Sequence, residues 1–222
     1  MISQIYDILF EKYNNIVTSW WPIISKNPND KIFEIIAGVI LTQNTNWNNA
    51  KKAIENLKDN NLLNIEKINN IEINKLELII RPAGFYRAKA IYLKNITDFF
   101  IFNPFEKFNK IKTNDARKLL LKTKGIGFES ADSILLYAFG KPIFVIDAYT
   151  KRISERLNLA NNYEYNNLQK IFEENIKRDA KIYKQYHGLI VEHCKKYCRK
   201  KPICSRCILK EICFFSYSAD IK

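Results

Sequence analysis

Apolar residues recur every three to four positions along most of this chain, and this spacing predicts an all-α protein. The first predicted helix, over 2–17, has an apolar stripe formed by Ile5, Ile8, Leu9 and Phe10. Further helices are predicted over 31–41, 48–58, 65–71, 75–80, 86–100, 115–122, 129–139, 148–157, 166–178 and 180–197. Asn29 or Asp30 is expected to cap the helix at 31–41, and Thr113 or Asn114 the helix at 115–122.

The composition fits a folded protein with a polyanionic partner. A chain of 222 residues with 47% hydrophobic content can bury the core of one large or two small domains. Its net charge of +13 favours a nucleic acid as partner, although lysine is also a general solubilising residue. The N-terminus does not resemble a secretion signal, and no apolar stretch approaches the roughly 20 residues that span a membrane. We therefore expect a cytoplasmic, DNA-associated protein with no membrane contact and with reduced cysteines.

One short pattern combines a turn with a distant carboxylate. A Gly-Ile-Gly turn at 125–127 lies between two predicted helices, and the apolar run after the Gly-Lys-Pro loop at 140–142 ends at Asp147. Backbone N–H groups in such a turn, together with the N-terminus of the next helix, can bind a phosphate. Lys122 and Lys124 add positive charge beside the turn. An ordinary corner between helices also contains glycine, so the turn alone leaves both interpretations open.

The cysteines form a second pattern near the C-terminus. Four of the five follow the spacing Cys198-x5-Cys204-x2-Cys207-x5-Cys213, and the fifth is Cys194. Clustered thiols in a reducing compartment indicate a metal site. Zinc sites usually have two separated C-x2-C pairs, whereas three short intervals favour an iron–sulfur cluster; the spacing leaves both metals open.

The hairpin turn, the Gly-Lys-Pro loop and Asp147 resemble the signature of the endonuclease III, or helix-hairpin-helix-GPD, superfamily of DNA glycosylases. This resemblance covers most of the chain and implies two helical domains with a DNA groove between them. Residues 30–140 would form the hairpin domain, and 1–29 with 141–222 the cluster domain. It also implies a monomer whose partner is double-stranded DNA containing a damaged base.

The resemblance assigns roles to individual residues. Asp147 would be the catalytic carboxylate, and it also precedes a predicted helix whose N-cap position would keep it ionised. Gln43 would fill the gap left by a flipped nucleotide. The residues expected to contact DNA are Gly125, Gly127, Lys122, Lys124, Gln43, Arg199, Lys200 and Lys201.

The resemblance also implies a cofactor. Many relatives hold a 4Fe–4S cluster through C-x6-C-x2-C-x5-C near the C-terminus, and the first interval is one residue shorter here. The expected ligands are Cys198, Cys204, Cys207 and Cys213. Cys194 could replace Cys198 only by widening the first loop.

Glu129 determines the expected subclass. Bifunctional endonuclease III enzymes place a lysine at this position, where it forms a Schiff base with C1′. A carboxylate cannot do so, which predicts a monofunctional glycosylase that uses water and lacks lyase activity. Two alternatives stay open: a glycosylase for oxidised pyrimidines or mismatches, and a non-catalytic iron–sulfur DNA-binding protein.

Several segments further resemble the 3-methyladenine glycosylase branch of the family, which implies alkylated purines as substrates. These segments are 20–22, 41–45, 81–86 and 124–132. Known members of that branch lack the cluster, so the chain combines features of two branches. The expected base pocket comprises Trp20, Trp21, Trp47, Glu129 and Lys195, whereas His187 and His193 are interpreted as structural.

Overall fold

The computed structural model describes residues 1–13, 25 and 27–219, and it contains helices and turns but no strand within these ranges. The predicted all-α fold is confirmed. The chain divides into two units, which we name by their content. The hairpin unit is Ile23–Lys141, and the terminal unit combines Met1–Pro22 with Pro142–Lys222.

The first helix of the chain, α1 (Ile2–Tyr13), belongs to the terminal unit, and the next eight described helices belong to the hairpin unit. They are α2 (Pro28–Thr42), α3 (Trp47–Asp59), α4 (Ile65–Asn70), α5 (Ile73–Ile79), α6 (Tyr86–Phe102), α7 (Phe105–Asn109), α8 (Thr113–Leu121) and α9 (Phe128–Ser133). A 3-10 turn at Arg81–Ala83 precedes α6, and a π-helical turn at Ile134–Ala138 continues α9.

Helix α2 is the centre of the hairpin unit. All its residues from Phe33 to Leu41 are buried, and all of them except Glu34 are apolar. It packs against α3, α6, α9 and the π-helical turn. The cap predicted at Asn29 or Asp30 is wrong: Asn27 caps the helix and accepts a hydrogen bond from the Asn29 N–H at 2.9 Å. Pro28 fits the first helical position, where no N–H is needed.

Two other details of the hairpin unit differ from the prediction. Thr113 begins α8 instead of capping it, and Lys112 precedes it without a side-chain cap bond. The short helix α7 was not predicted. It is anchored by tertiary contacts, because Phe105 and Phe108 pack edge-on against Phe100 at centroid distances of 5.0 and 5.3 Å.

Three lysines in the hairpin unit each donate hydrogen bonds to two backbone carbonyls. These bonds join Lys89 to Leu41 and Ala83, Lys94 to Asn69 and Ile71, and Lys141 to Asn109 and Ile111. Burial lowers the pKa of Lys89 to about 8, and burial also lowers the pKa of the other two. These ammonium groups serve as internal caps for segments whose carbonyls lack helical partners.

The terminal unit contains α1 and the helices after the Gly-Lys-Pro loop. These are α10 (Ala148–Arg156), α11 (Tyr165–Asn175), α12 (Ala180–Lys196) and α13 (Phe214–Ala219), with 3-10 turns at Cys204–Arg206 and Lys210–Ile212. Helix α12 packs against α1 and α10. The Tyr186 hydroxyl on α12 donates to the Ile2 carbonyl at 2.9 Å, which fixes the start of α1.

The predicted stripe on α1 is partly wrong. Ile5 and Leu9 are buried, but Phe10 is 37% exposed and Ile8 is half-buried. The buried face instead comprises Ile2, Ile5, Leu9 and Tyr13. These residues are three or four positions apart, the spacing that places side chains on one face of a helix.

Candidate functional site

The two glycines of the turn between α8 and α9 have different structural requirements. Gly125 has φ of +96°, and a Cβ atom there would lie 2.2 Å from the ring of Tyr92, so only glycine fits. Gly127 has φ of −92° and open space where a Cβ would lie. The fold therefore does not require glycine at 127, whereas a ligand that closely approaches the backbone would.

The turn is basic and accessible. Lys122, Lys124 and Gly127 are exposed or half-buried, and Gly127 occupies the N-cap position of α9. Accessible N–H groups at a helix start, flanked by lysines, suit an anionic oxygen. We refer to residues 122–127 as the basic turn.

The side chain of Gln43 is attached to this basic turn. Its Nε2 donates to the Gly125 carbonyl at 3.0 Å and to Ser130 Oγ at 2.9 Å. Gln43 directly follows α2, so these bonds join the end of that helix to the turn. Its predicted role in filling a nucleotide gap stays a prediction, and any such movement would have to exchange these two bonds.

A buried ion pair connects the two helices of the hairpin. Arg117 on α8 donates through Nε and Nη2 to the carboxylate of Asp132 on α9, at 2.6 and 2.9 Å. Asp132 is fully buried, and the guanidinium also lies 4.8 Å from the ring centre of Phe128. A bidentate pair of this kind fixes the two helices in direction as well as distance.

The residues of the predicted base pocket are only partly described. Trp20 and Trp21 lie outside the described residues. Trp47 is the first residue of α3, and Glu129 is exposed in the first turn of α9, both in the hairpin unit. Lys195 is exposed in the last turn of α12, in the terminal unit. Their assignment to one pocket stays a prediction.

Phe85 lies in the segment 81–86, but no individual role was predicted for it from the sequence. It is 70% exposed and has the left-handed conformation, with φ of 47°, which costs a non-glycine residue on the order of 1–3 kcal/mol. Lys89 donates to the carbonyls of Ala83 and Leu41, which lie two residues before Phe85 and Gln43, respectively. The ring is thus presented on a tethered segment, where it can stack on a base.

Asp147 begins α10 as its N-cap. One carboxylate oxygen, Oδ1, accepts a hydrogen bond from the Thr150 N–H at 2.7 Å, and Oδ2 lies 3.4 Å from Nε2 of His187. Burial raises the pKa of Asp147, but the His187 charge and the hydrogen bonds outweigh it and hold that pKa below its ordinary value. The lowered pKa favours an ionised carboxylate at a position where only 13% of the side chain is exposed.

The contact between Asp147 and His187 was not predicted from the sequence. The two residues are 40 positions apart, and His187 lies on the buried face of α12 among apolar neighbours. That pattern is typical of a structural histidine, so the single-residue context contained no signal for this pair. Only the packing of α10 against α12 brings them together.

The four cysteines with cluster spacing lie after α12. Cys198 and Cys213 are buried, and Cys204 and Cys207 are half-buried. Hydrogen bonds from the Cys194 thiol and from the Arg156 guanidinium, 3.1 Å from Sγ, lower the pKa of Cys198. A lowered pKa favours the thiolate, which is the form that binds metal.

The four thiols are of the ligand type that both iron–sulfur clusters and zinc take. Within the described ranges, no three Cys, His, Asp or Glu side chains are arranged to hold one metal ion. A 4Fe–4S cluster takes one thiolate at each iron, so its ligands surround a larger group. Cys194 is buried on α12, where its thiol faces the Tyr149 carbonyl at 3.7 Å.

The loop between the first two of these cysteines is basic and exposed. Arg199, Lys200 and Lys201 all have exposed side chains. Arg156 donates to the Arg199 carbonyl at 2.7 Å and to the Lys200 carbonyl at 3.1 Å. The backbone of the loop is therefore held while its charges face solvent.

Comparisons with known proteins give a consistent family. Residues 37–178 match the model of the HhH-GPD family, described as base excision DNA repair proteins. A Methanocaldococcus jannaschii protein named as a candidate DNA repair glycosylase is 47% identical over 218 residues, 96% of each chain. Endonuclease III of Sulfolobus acidocaldarius is 29% identical, covering 99% of this chain and 98% of that protein.

Solved structures extend the comparison. The 3-methyladenine DNA glycosylase of H. pylori, bound to 1,N6-ethenoadenine, is 32% identical with a TM-score of 0.72 and covers 86% of this chain and 97% of that chain. A non-covalent endonuclease III–DNA complex has a TM-score of 0.80 at 21% identity, covers 100% of this chain and 99% of that chain, and shares the fold. In the described part of this chain, no helix has the length and apolar character needed to cross a membrane.

Proposed function

This chain belongs to the HhH-GPD superfamily of base excision DNA repair proteins and is a DNA glycosylase of the endonuclease III type; we propose that it is monofunctional and acts on alkylated purines such as 3-methyladenine. The damaged nucleotide is flipped out of the duplex, because its glycosidic bond cannot be reached inside the base stack. The observation that carries the proposal is the largely enclosed carboxylate of Asp147 at the start of α10, which accepts the Thr150 N–H at 2.7 Å and lies 3.4 Å from His187.

Asp147 has the properties that base hydrolysis requires. Departure of the base leaves positive charge on the sugar, and a nearby carboxylate stabilises that charge. The same carboxylate can orient or deprotonate the attacking water. Because His187 and the Thr150 N–H lower its pKa, Asp147 is ionised before the base leaves.

Glu129 supports the monofunctional assignment. Its carboxylate, on the first turn of α9, occupies the position where bifunctional relatives carry the Schiff-base lysine. Without an amine there, water becomes the nucleophile and the product is an intact strand with an abasic site.

The alkylated-purine assignment rests on charge and on similarity. A 3-methylated adenine is cationic, so aromatic side chains such as Trp47 can select it through cation–π attraction. The weakened glycosidic bond of such a base requires little acid catalysis. The similarity to the H. pylori 3-methyladenine enzyme, at 32% identity over most of both chains, points in the same direction.

Each unit supplies proposed DNA contacts. In the hairpin unit these are the basic turn and Gln43, and in the terminal unit they are Arg199, Lys200 and Lys201. The contacts would be made mainly to phosphates, so binding would depend steeply on salt.

Cys198, Cys204, Cys207 and Cys213 would hold a 4Fe–4S cluster as a structural scaffold for the basic loop. The expected purified protein is brown, with broad absorbance near ~400 nm and about four irons per chain. A colourless protein containing zinc would overturn the cluster assignment.

The function is tested by base release from a panel of duplexes. The panel contains alkylated purines, thymine glycol, uracil mismatches and adenine opposite 8-oxoguanine, each treated with and without alkali. Release of 3-methyladenine, with strand breaks only after alkali, is the expected result. Nicking without alkali would overturn the monofunctional assignment, and release of another base would support the oxidised-pyrimidine or mismatch alternative.

Asp147→Asn provides the matched control. This change keeps the shape and the ability to cap α10 while removing the charge. It should abolish base release and leave DNA binding intact. A fully active variant would refute the catalytic role of Asp147, and a wild-type protein that binds DNA but releases no base would support the non-catalytic alternative.

A further inference from the structure

Both oxygens of the Asp147 carboxylate have partners, and the partners come from different helices. Thr150, on α10, donates its N–H to Oδ1, and His187, on α12, lies with Nε2 3.4 Å from Oδ2. His187 is 4% exposed, so water has little access to this contact. The carboxylate is therefore held by a local cap and by a residue from a separate helix.

We propose that His187 is a positioning residue for base hydrolysis, holding the Asp147 carboxylate ionised and in a fixed orientation. The inference rests on the proposed function, in which Asp147 is the catalytic group. A buried carboxylate without a polar partner takes up a proton, because burial penalises its charge. The Thr150 N–H alone fixes one oxygen and leaves the other free to rotate out of the cap geometry.

Other ionisable groups near Asp147 do not provide an equivalent partner. Tyr149 and Cys194 both interact with its charge, but a phenol and a thiol are never cationic, and the raised pKa of each keeps it neutral. Arg152 lies over the Tyr149 ring at 5.0 Å and donates its Nε to the Cys198 carbonyl at 2.8 Å. Further ionisable side chains on the helices of the terminal unit include Tyr6, Tyr13, Tyr165, Glu173, Tyr186 and His193, and their hydrogen bonds join them to groups other than Asp147.

The pH dependence of the chemical step distinguishes this role from simple packing. If His187 is replaced, burial dominates at Asp147 and the pKa of Asp147 rises. The carboxylate then becomes protonated at a higher pH, so the acid limb of the pH–rate profile shifts to higher pH. Single-turnover release of 3-methyladenine should be measured across the pH range for His187→Gln and His187→Phe. Both variants should lose at least about tenfold at pH 6 and recover part of that loss toward pH 9.

The two His187 variants separate the effect of the His187 charge from the effect of a polar partner that orients the Asp147 carboxylate. The glutamine amide is polar and can donate to Oδ2, so His187→Gln should recover nearly the wild-type rate at high pH. His187→Phe removes the donor as well and should remain slower throughout. Ser154→Ala, at another buried position of α10, is the control and should leave the profile unchanged.

The outcomes separate this inference from the proposed function. If Asp147→Asn abolishes activity but both His187 variants keep the wild-type acid limb, the positioning role is refuted and the proposed function stands. If Asp147→Asn stays active, the proposed function itself fails. Should the His187 variants not fold, carbon-13 NMR of labelled aspartate in the wild-type protein decides: a titration of Asp147 above its ordinary pKa would overturn the proposal.

Discussion

The same substitution, glycine to alanine, has opposite expected effects at the two glycines of the basic turn. At Gly125, alanine must adopt φ near +96°, which costs an L-residue about 1–2 kcal/mol. Its Cβ would also meet the Tyr92 ring at 2.2 Å, and relieving such an overlap costs about 1–3 kcal/mol. Gly125→Ala should therefore lower the free energy of unfolding by on the order of 3 kcal/mol.

Gly127→Ala is the matched control for the same loop. Alanine fits the backbone conformation and the open space at this position. The free energy of unfolding should stay the same or rise by about 0.4–1 kcal/mol, because alanine has less freedom in the unfolded chain. The added methyl group would lie on the backbone that we propose contacts a phosphate, so DNA binding should weaken.

Urea unfolding followed by circular dichroism measures the stability of both variants, and anisotropy of a labelled duplex measures their affinity for DNA. Adding Tyr92→Ala to Gly125→Ala should remove the overlap cost and leave the backbone cost. A Gly125→Ala protein as stable as wild type would contradict the steric argument. A Gly127→Ala protein that binds DNA with wild-type affinity would show that the turn does not contact phosphate.

Three further predictions concern charge. Glu129→Lys should place an amine where bifunctional relatives have one, so borohydride should trap a covalent adduct with DNA that the wild type does not form. Replacing Lys122 and Lys124 with glutamine should lower the salt slope of DNA binding by about one unit for each lysine that pairs with a phosphate, measured by anisotropy across a salt series. Lys89 has a pKa of about 8 in the folded protein and 10.5 when unfolded, so the unfolded chain binds more protons and stability should rise from about pH 8 to pH 10. Lys89→Met should flatten that rise in urea unfolding, and an unchanged rise would mean that other groups cause it.

The helix boundaries predicted from the sequence were accurate where the apolar repeat continues over several turns. α6 and α12 begin at the predicted residues, because their buried faces repeat over several turns. The five-residue α7 was missed, because its stability comes from Phe105 and Phe108 packing on distant rings. A segment that short has too few turns to show a period, and tertiary packing determines its conformation.

In the candidate site, too, features that depend on local sequence were predicted, whereas features that depend on tertiary packing were missed. Asp147 and the basic turn could be predicted as site residues from the sequence, since each pattern depends on residues close along the chain. The contacts that join segments were not: Gln43 with Ser130, and Asp147 with His187. These contacts depend on how helices pack, and no local spacing contains that information.

The carbonyl-bound lysines divide the amines of this protein into two chemical classes. Lys89, Lys94 and Lys141 are part of the folded interior and contribute to architecture. The exposed lysines, which include those of the basic turn and of the loop after Cys198, are the ones that a polyanion can meet. An amine-reactive label applied to the native protein would therefore map its electrostatic surface, whereas the same label applied after unfolding would count every lysine. The carbonyl-bound lysines thus count toward the formal charge of the chain, but their ammonium groups are not presented to DNA.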